Sequence, residues 1–342
     1  MPRSSHLVGS IPAADAEAAM RLAMGRLGPT LRTLPDGETG DRRNWIHYII
    51  EGFRDHPDLV LARDGDWSDY DRTPRFRVRA GRRLFGANLD FGYMPAAERS
   101  WPVFQRVRQQ LGRPDLTFQV GVPGDLDLAL FTLGPAAALR HRRAFTEATI
   151  AEIRRIHALC GGDVVFQVEV PAELTLLARL PPPAQPVAAR LLAKGVTDLA
   201  VAAPHGARFG LHLCLGDLNH RPFGAMTDAA PVVRLANAVA RRWPVDRRLQ
   251  FVHAPFAAAD QPPPLDPAFY APLARLRLPA GVRFIAGFVH EDRSPDQQRH
   301  IRALLDRHLG RPVDVAAACG LGRRDAAAAE AILEQSAALT SD

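Results

Sequence analysis

Lysine is all but missing from this chain. Lys194 is the only one in 342 residues, so a net charge of +6 rests almost entirely on arginine. The arginines are scattered, as at Arg140, Arg142, Arg143, Arg241 and Arg242, and are mixed with acids. No stripe of basic residues interleaved with aromatics is present, which argues against nucleic acid as a partner. Arginine on ordinary helix surfaces needs no partner. No run of about 18 apolar residues exists, so no membrane span is expected. Residues 1–6 lead into a short apolar strand and Pro12 without the apolar core of a signal peptide. Cysteine is scarce as well. Cys160, Cys214 and Cys319 are too few for a disulfide scaffold, fit a reducing cytoplasm, and suit metal binding better. No short-period repeat is visible.

What is present is alternation. Short β-rich segments at 7–8, 31–34, 116–122, 164–170, 209–213, 249–253, 282–287 and 313–318 are separated by helical-period stretches. Those stretches fall at 13–27, 42–54, 96–111, 135–159, 186–202, 230–242, 267–276, 295–309 and 325–339. Strand then helix, eight times, with one extra helix between strands two and three, predicts a parallel (β/α)8 TIM barrel, with residues 1–342 as a single domain. One stretch does not fit the alternation. Residues 56–93 are rich in Asp, Arg and Gly and hold a strand-like Phe76-Arg77-Val78-Arg79. We read it as a lid or hairpin inserted between the second and third β/α units, over the mouth.

His212-Leu213-Cys214 carries the chemistry. Residues two apart on a strand point to the same side. With a distant Cys319 they form three ligands of the kind zinc selects, and three protein ligands plus an open position is the layout of a catalytic zinc site. In such a barrel, reacting groups come from the C-terminal strand ends. Gly9-Ser10, Asp36-Gly37-Glu38, Pro123-Gly124-Asp125, Glu169, His212, Cys214, His253, His290-Glu291 and Cys319 all fall on that rim. Glu169 on a buried strand is costly unless used. Glu38 is either functional or a cap for the helix near Arg42. Gly9 and Ser10 either serve the site or form a turn. Asp217 and His220 either line the mouth or are solvated, and Arg323 and Arg324 either bind an anion or lie on the surface. Cys160 has no partner and caps a helix end before Gly161-Gly162.

Several segments, in order, resemble the catalytic C-terminal barrel of the cobalamin-independent methionine synthase family, in the superfamily shared with uroporphyrinogen decarboxylase. Val8-Gly9-Ser10-Ile11-Pro12 is similar to its Ile-Gly-Ser-Phe-Pro. Asp36-Gly37-Glu38 and Arg42-Arg43-Asn44 are similar to its His-Gly-Glu and Arg-Asn-Asp. Phe166-Gln167-Val168-Glu169-Val170-Pro171 resembles Gln-Ile-Asp-Glu-Pro, His212-Leu213-Cys214 matches His-x-Cys, and Cys319-Gly320-Leu321 matches Cys-Gly-Leu. The resemblance implies zinc at His212, Cys214 and Cys319. It implies that Ser10 and Glu38 hold the amino-acid portion of a thiol such as homocysteine, with Glu169 where the family has an Asp for the amino group. The zinc-bound thiolate would then attack an activated methyl carbon.

Two departures stand out. His253 occupies the place of a zinc-binding Glu, as a fourth ligand or as a hydrogen-bonding neighbour. The chain also resembles a short, single-barrel relative, so the methyl donor is open among folate, a corrinoid protein and another small molecule. Rival expectations are a zinc-assisted hydrolase or lyase with Glu169 or Glu38 as base, and a non-catalytic metal- or ligand-binding barrel. A decarboxylase would leave the zinc triad idle.

Overall fold

Runs such as Val164-Val165-Phe166-Gln167-Val168-Glu169-Val170 mix β-branched and aromatic residues with almost no polar breaks, the pattern of a strand covered on both faces. In the computed structural model, which describes residues 2–341, ten strands form. They are β1 (Ser5–His6), β2 (Thr33–Pro35), β3 (Leu59–Arg63), β4 (Arg75–Val78), β5 (Thr117–Pro123), β6 (Val164–Val170), β7 (Arg208–Leu213), β8 (Arg248–Pro255), β9 (Arg283–Val289) and β10 (Asp314–Ala317). Eight lie in one sheet ordered β1-β10-β9-β8-β7-β6-β5-β2. Every pairing in it is parallel. A lone parallel bridge, Ser5 to Leu31, joins the two ends, so the sheet curls into a nearly closed α/β barrel. Among the described residues no helix is long and apolar enough to cross a membrane.

All eight expected barrel strands form, with one displaced. The first pairs at Ser5 and His6 rather than at 7–8. The carbonyls of Leu7 and Val8 instead accept from the Gln119 amide at 2.8 Å each, and Val8 also accepts from Gln167 at 2.7 Å. Side chains inside the barrel thus replace the ladder there. Two helices were not expected, Asp125–Leu133 and Pro171–Arg179. The first reads Asp-Leu-Asp-Leu-Ala-Leu-Phe-Thr-Leu and is buried on nearly every face, so its sequence lacks a one-sided apolar stripe. The helix expected at 42–54 is broken: a short 3-10 turn, Gly40–Asn44, is followed by Trp45 at φ 50° and the helix His47–Gly52.

Helix starts follow ordinary capping chemistry. Asp15 accepts from Ala18 N at 2.8 Å at the head of Ala16–Leu27. Ser294 and Gln297 form a reciprocal capping box on Pro295–Leu309. The outward faces of the strands meet these helices; Phe166 and Phe209, for example, pack with ring centres 6.0 Å apart. Inside, Val165, Phe251, Ile285 and Ala316 form a small apolar floor. Above it the lining turns polar, with His6, Thr33, Gln119 and Gln167 all buried and bonded to one another.

The 56–93 segment holds an antiparallel hairpin, β3 with β4. Phe53, Phe76 and Phe91 anchor its base, with Phe53 and Phe91 each 6.4 Å from Phe145 on the helix Pro135–Cys160. Its tip reaches the loop after β7. Trp67 O accepts from Asn219 Nδ2 at 2.7 Å, and Tyr70 OH donates to Arg221 O at 3.1 Å.

Candidate metal and substrate site

Parallel register places Glu169 beside His212 and His212 beside His253, three lateral neighbours at the C-terminal ends of β6, β7 and β8. Cys214 stands just past β7 and Cys319 two residues past β10. The ligand atoms of His212, Cys214 and Cys319 lie within 4.8 Å of one another. The two Sγ atoms are 3.7 Å apart. Two sulfurs on one tetrahedral zinc, each at about 2.3 Å, sit about 3.8 Å apart, so the spacing fits that ion.

The imidazoles form a relay with defined tautomers. His253 Nε2 lies 3.0 Å from Ala317 O, which only accepts, so Nε2 carries the hydrogen. Burial, with His212 and His6 adding to it, keeps His253 neutral. Its Nδ1 is therefore an acceptor, and His212 Nδ1–H donates to it at 2.7 Å. His212 Nε2 is left buried and without a hydrogen-bond partner. An orphan nitrogen beside two thiols is the donor set a soft cation completes. Both nitrogens of His253 are engaged elsewhere, and it lies behind His212 rather than among the three converging ligands. Cys214 and Cys319 are hydrogen-bonded to each other. The hydrogen bond from Cys214 holds Cys319 well below the usual thiol range, helped by Arg323 Nη2 at 3.2 Å, while the same bond pushes Cys214 up.

Two carboxylates face this group. Gly121 sits under both: a Cβ there would lie 2.7 Å from Glu169 Oε1 and 3.0 Å from Glu38 Oε1. Gln167 Nε2 donates to Glu169 at 3.1 Å. Burial pushes Glu38 up to about 7, against the pull of Arg42, and burial plus Glu38 push Glu169 well up. Glu38 caps no helix. It sits at φ 43°, a left-handed conformation fixed by its N–H donating to Asp36 Oδ1 at 3.0 Å; Asp36 is in turn paired with Arg42 and Ser100. Ser10 is bound into the site's edge, its carbonyl accepting from Leu321 N at 2.7 Å and its hydroxyl from Gly322 N at 3.3 Å.

A cavity of about 710 Å³, open at its mouth, joins Ser10, Glu38, Glu169, Cys214 and Cys319. Of the other rim residues, Asp217 and Arg323 line it as a buried ion pair at 3.0 Å. Asp125 instead pairs with Arg142, and Glu291 with Arg324 and His220, outside its lining. Cys160 lies elsewhere, its thiol pushed up to about 12 by burial.

Sequence reasoning missed the far wall, made by Trp45, His47, Trp67, Tyr70 and Phe131. Trp45 and Trp67 both hold left-handed backbone, at φ 50° and 58°. Such conformations cost roughly 1–3 kcal/mol each and gather at functional sites. One missed signal was legible. Phe118-Gln119-Val120-Gly121-Val122-Pro123 and Phe166-Gln167-Val168-Glu169-Val170-Pro171 share one pattern, with glycine where the other carries glutamate.

The fold and the site define a class: an eight-stranded α/β barrel with a mixed imidazole–thiol donor set at the C-terminal rim. Solved structures share that architecture. The chain superposes on a B12-independent methionine synthase from Shewanella sp. W3-18-1 in complex with selenomethionine, with a TM-score of 0.61 and 11% identity, covering 100% of this chain and 97% of the other. A methyltransferase from Methanosarcina mazei gives 0.57 and 13%, covering 99% and 94%. A Listeria monocytogenes protein, named as a candidate vitamin-B12-independent methionine synthase, gives 0.57 and 9%, covering 99% and 97%. At these identities the likeness is one of fold. No protein-family model and no curated protein matches the sequence.

Proposed function

We propose that this protein is a zinc-dependent methyltransferase that alkylates a small thiol carrying an amino group, such as homocysteine. The observation that carries the reading is the pair of sulfurs 3.7 Å apart beside the unpaired His212 Nε2, opening on a cavity with two facing carboxylates. The methyltransferase structures that share the fold support it. His212, Cys214 and Cys319 would hold the metal. When bound, zinc supplies an open position at which a thiol ionises.

The chain's own residues do the rest. His253 orients His212 and fixes the nitrogen it presents. Glu38 and Glu169 receive the substrate ammonium, which offsets the cost of ionising two buried neighbouring carboxyls. Ser10 and Gly320 close the edge beside Cys319. The hairpin tip, tied to the β7 loop through Trp67 and Tyr70, serves as a lid that excludes water. On this reading residues 1–342 act as one barrel unit, and the free cysteines fit a reducing cytoplasm.

Zinc content per chain, measured in parent and Cys214→Ser protein, tests the reading together with sulfur coordination by X-ray absorption before and after homocysteine. About one zinc in the parent, lost in the variant, with one further sulfur ligand on adding homocysteine, is the expected result. A parent without zinc, or zinc that ignores the thiol, refutes it.

A further inference from the structure

The thiol end of the cavity is explained by that reading; the aromatic end is not, and its chemistry narrows the methyl donor. The polar tips of two wall residues are tied away from the space they border. Trp67 Nε1 donates to Glu51 at 2.6 Å, and Tyr70 OH donates to Arg221 O. What these side chains offer the cavity is ring carbon. His47 packs tilted against Trp67 with centres 4.0 Å apart, and Tyr70 and Phe131 pack with Phe223 at 4.8 and 5.4 Å. Both tryptophans of the wall are held in left-handed backbone, so the wall is kept at a conformational cost rather than by default.

The charge of the lining points the same way. Glu38, Glu169 and Asp217 are carboxyls, and among the described residues the only arginine in the lining is Arg323. Its guanidinium is already engaged by Asp217, Arg43 O at 2.7 Å and Cys319. Among the described residues of this wall, no arginine or lysine is left unpaired for an anionic donor tail. A cation whose charge is spread over methyl groups finds aromatic faces in this wall, the surface that recognises onium groups.

We propose that the aromatic end binds a methyl onium, a sulfonium or a quaternary ammonium, as the methyl donor. This rests on the transferase reading for its chemistry but not for its binding. The step balances without further reagents. The thiolate lone pair forms the new S–CH3 bond as the C–S⁺ or C–N⁺ bond breaks. The bonding pair leaves with the heteroatom, which departs as a neutral thioether or tertiary amine.

The test is intrinsic tryptophan fluorescence of the zinc-loaded full chain, titrated with trimethylsulfonium, with choline, and with 3,3-dimethylbutan-1-ol, the neutral carbon isostere of choline. Saturable binding of a cation, choline at least tenfold tighter than its isostere, is expected. Weakening of fivefold or more in Tyr70→Leu and Trp67→Leu is expected, with recovery in Trp67→Phe, which keeps an aromatic face. Equal binding of choline and isostere, or no saturable binding of either cation, overturns the proposal and needs no variant to fold. Dimethyl sulfide release with homocysteine present identifies a sulfonium source; thioether formation with choline alone identifies an ammonium source. Zinc and thiol coordination without cation binding overturns the donor inference only. Cation binding without zinc overturns the transferase and leaves the onium site standing.

Discussion

Replacing His253 by leucine isolates the imidazole relay. In the parent, Ala317 O fixes the hydrogen on His253 Nε2, His253 Nδ1 accepts from His212, and His212 Nε2 is left free for a metal. Leucine fills similar volume but accepts nothing, so His212 Nδ1–H becomes a buried donor without a partner, a loss of about 1–3 kcal/mol. The ring can then rotate or change tautomer, and only part of its population presents a lone pair to the site. Outer hydrogen-bond partners of metal-binding histidines are worth about 10–100-fold in affinity. At about 1.4 kcal/mol per decade, that is about 1.4–2.8 kcal/mol, in line with the unpaired-donor cost. Competition against a chromophoric chelator reads the zinc affinity directly. His253→Leu should bind zinc about 10–100-fold more weakly than the parent, and Cys214→Ser more weakly still. Unchanged affinity would mean the relay is idle. A loss as deep as that of Cys214→Ser would mean His253 is itself a ligand.

Other perturbations follow from the same geometry. Gly121→Ala puts a methyl 2.7 Å from Glu169 Oε1, so KM for homocysteine should rise about tenfold or more with zinc content unchanged, while a thiol lacking an amino group should be unaffected. Glu173, outside the site, is pushed up to about 8 from its ordinary 4.5, by burial first and by Asp125 second. The folded chain therefore keeps this proton where the unfolded chain has lost it. The stability so gained is full below pH 4.5 and lost as pH rises through 8. Thermal melts from pH 5 to 8.5 should decline, by up to about 1.4 kcal/mol per pH unit from this group, and Glu173→Gln should flatten that decline. Stripping zinc with a chelator should lower Tm measurably, since a ligand at a thousand times its Kd contributes about 4 kcal/mol. An unchanged Tm would argue against the metal site.

How much of this was legible follows from the range of each interaction. Strands such as Val164–Val170 are read from their own residues, because burial on both faces leaves a continuous apolar run. The His212–Cys214 spacing is equally local, and the barrel rule carries Cys319 to the same rim. Burial on nearly every face hid Asp125–Leu133, since helical periodicity needs a polar side. The position of Leu7 and Val8 depends on Gln119 and Gln167, more than a hundred residues away in the chain. His253 shows the limit most clearly. Its type suits a ligand, but its bond to Ala317 O, two strands across the sheet, decides which way its nitrogens face. The aromatic wall was hidden for a similar reason: left-handed backbone at Trp45 and Trp67 is set by docking, not by residue type.

The single bridge between Ser5 and Leu31 gives the barrel one loose joint among its staves. Ser10 lies on one side of it, fastened to the turn after Cys319, and Glu38 lies on the other, beyond β2. Near the top, among the described residues, one backbone bond, Ile11 N to Gly37 O at 2.8 Å, crosses between them. The barrel seam therefore runs through the rim of the cavity itself, between two of the residues that line it, Ser10 and Glu38.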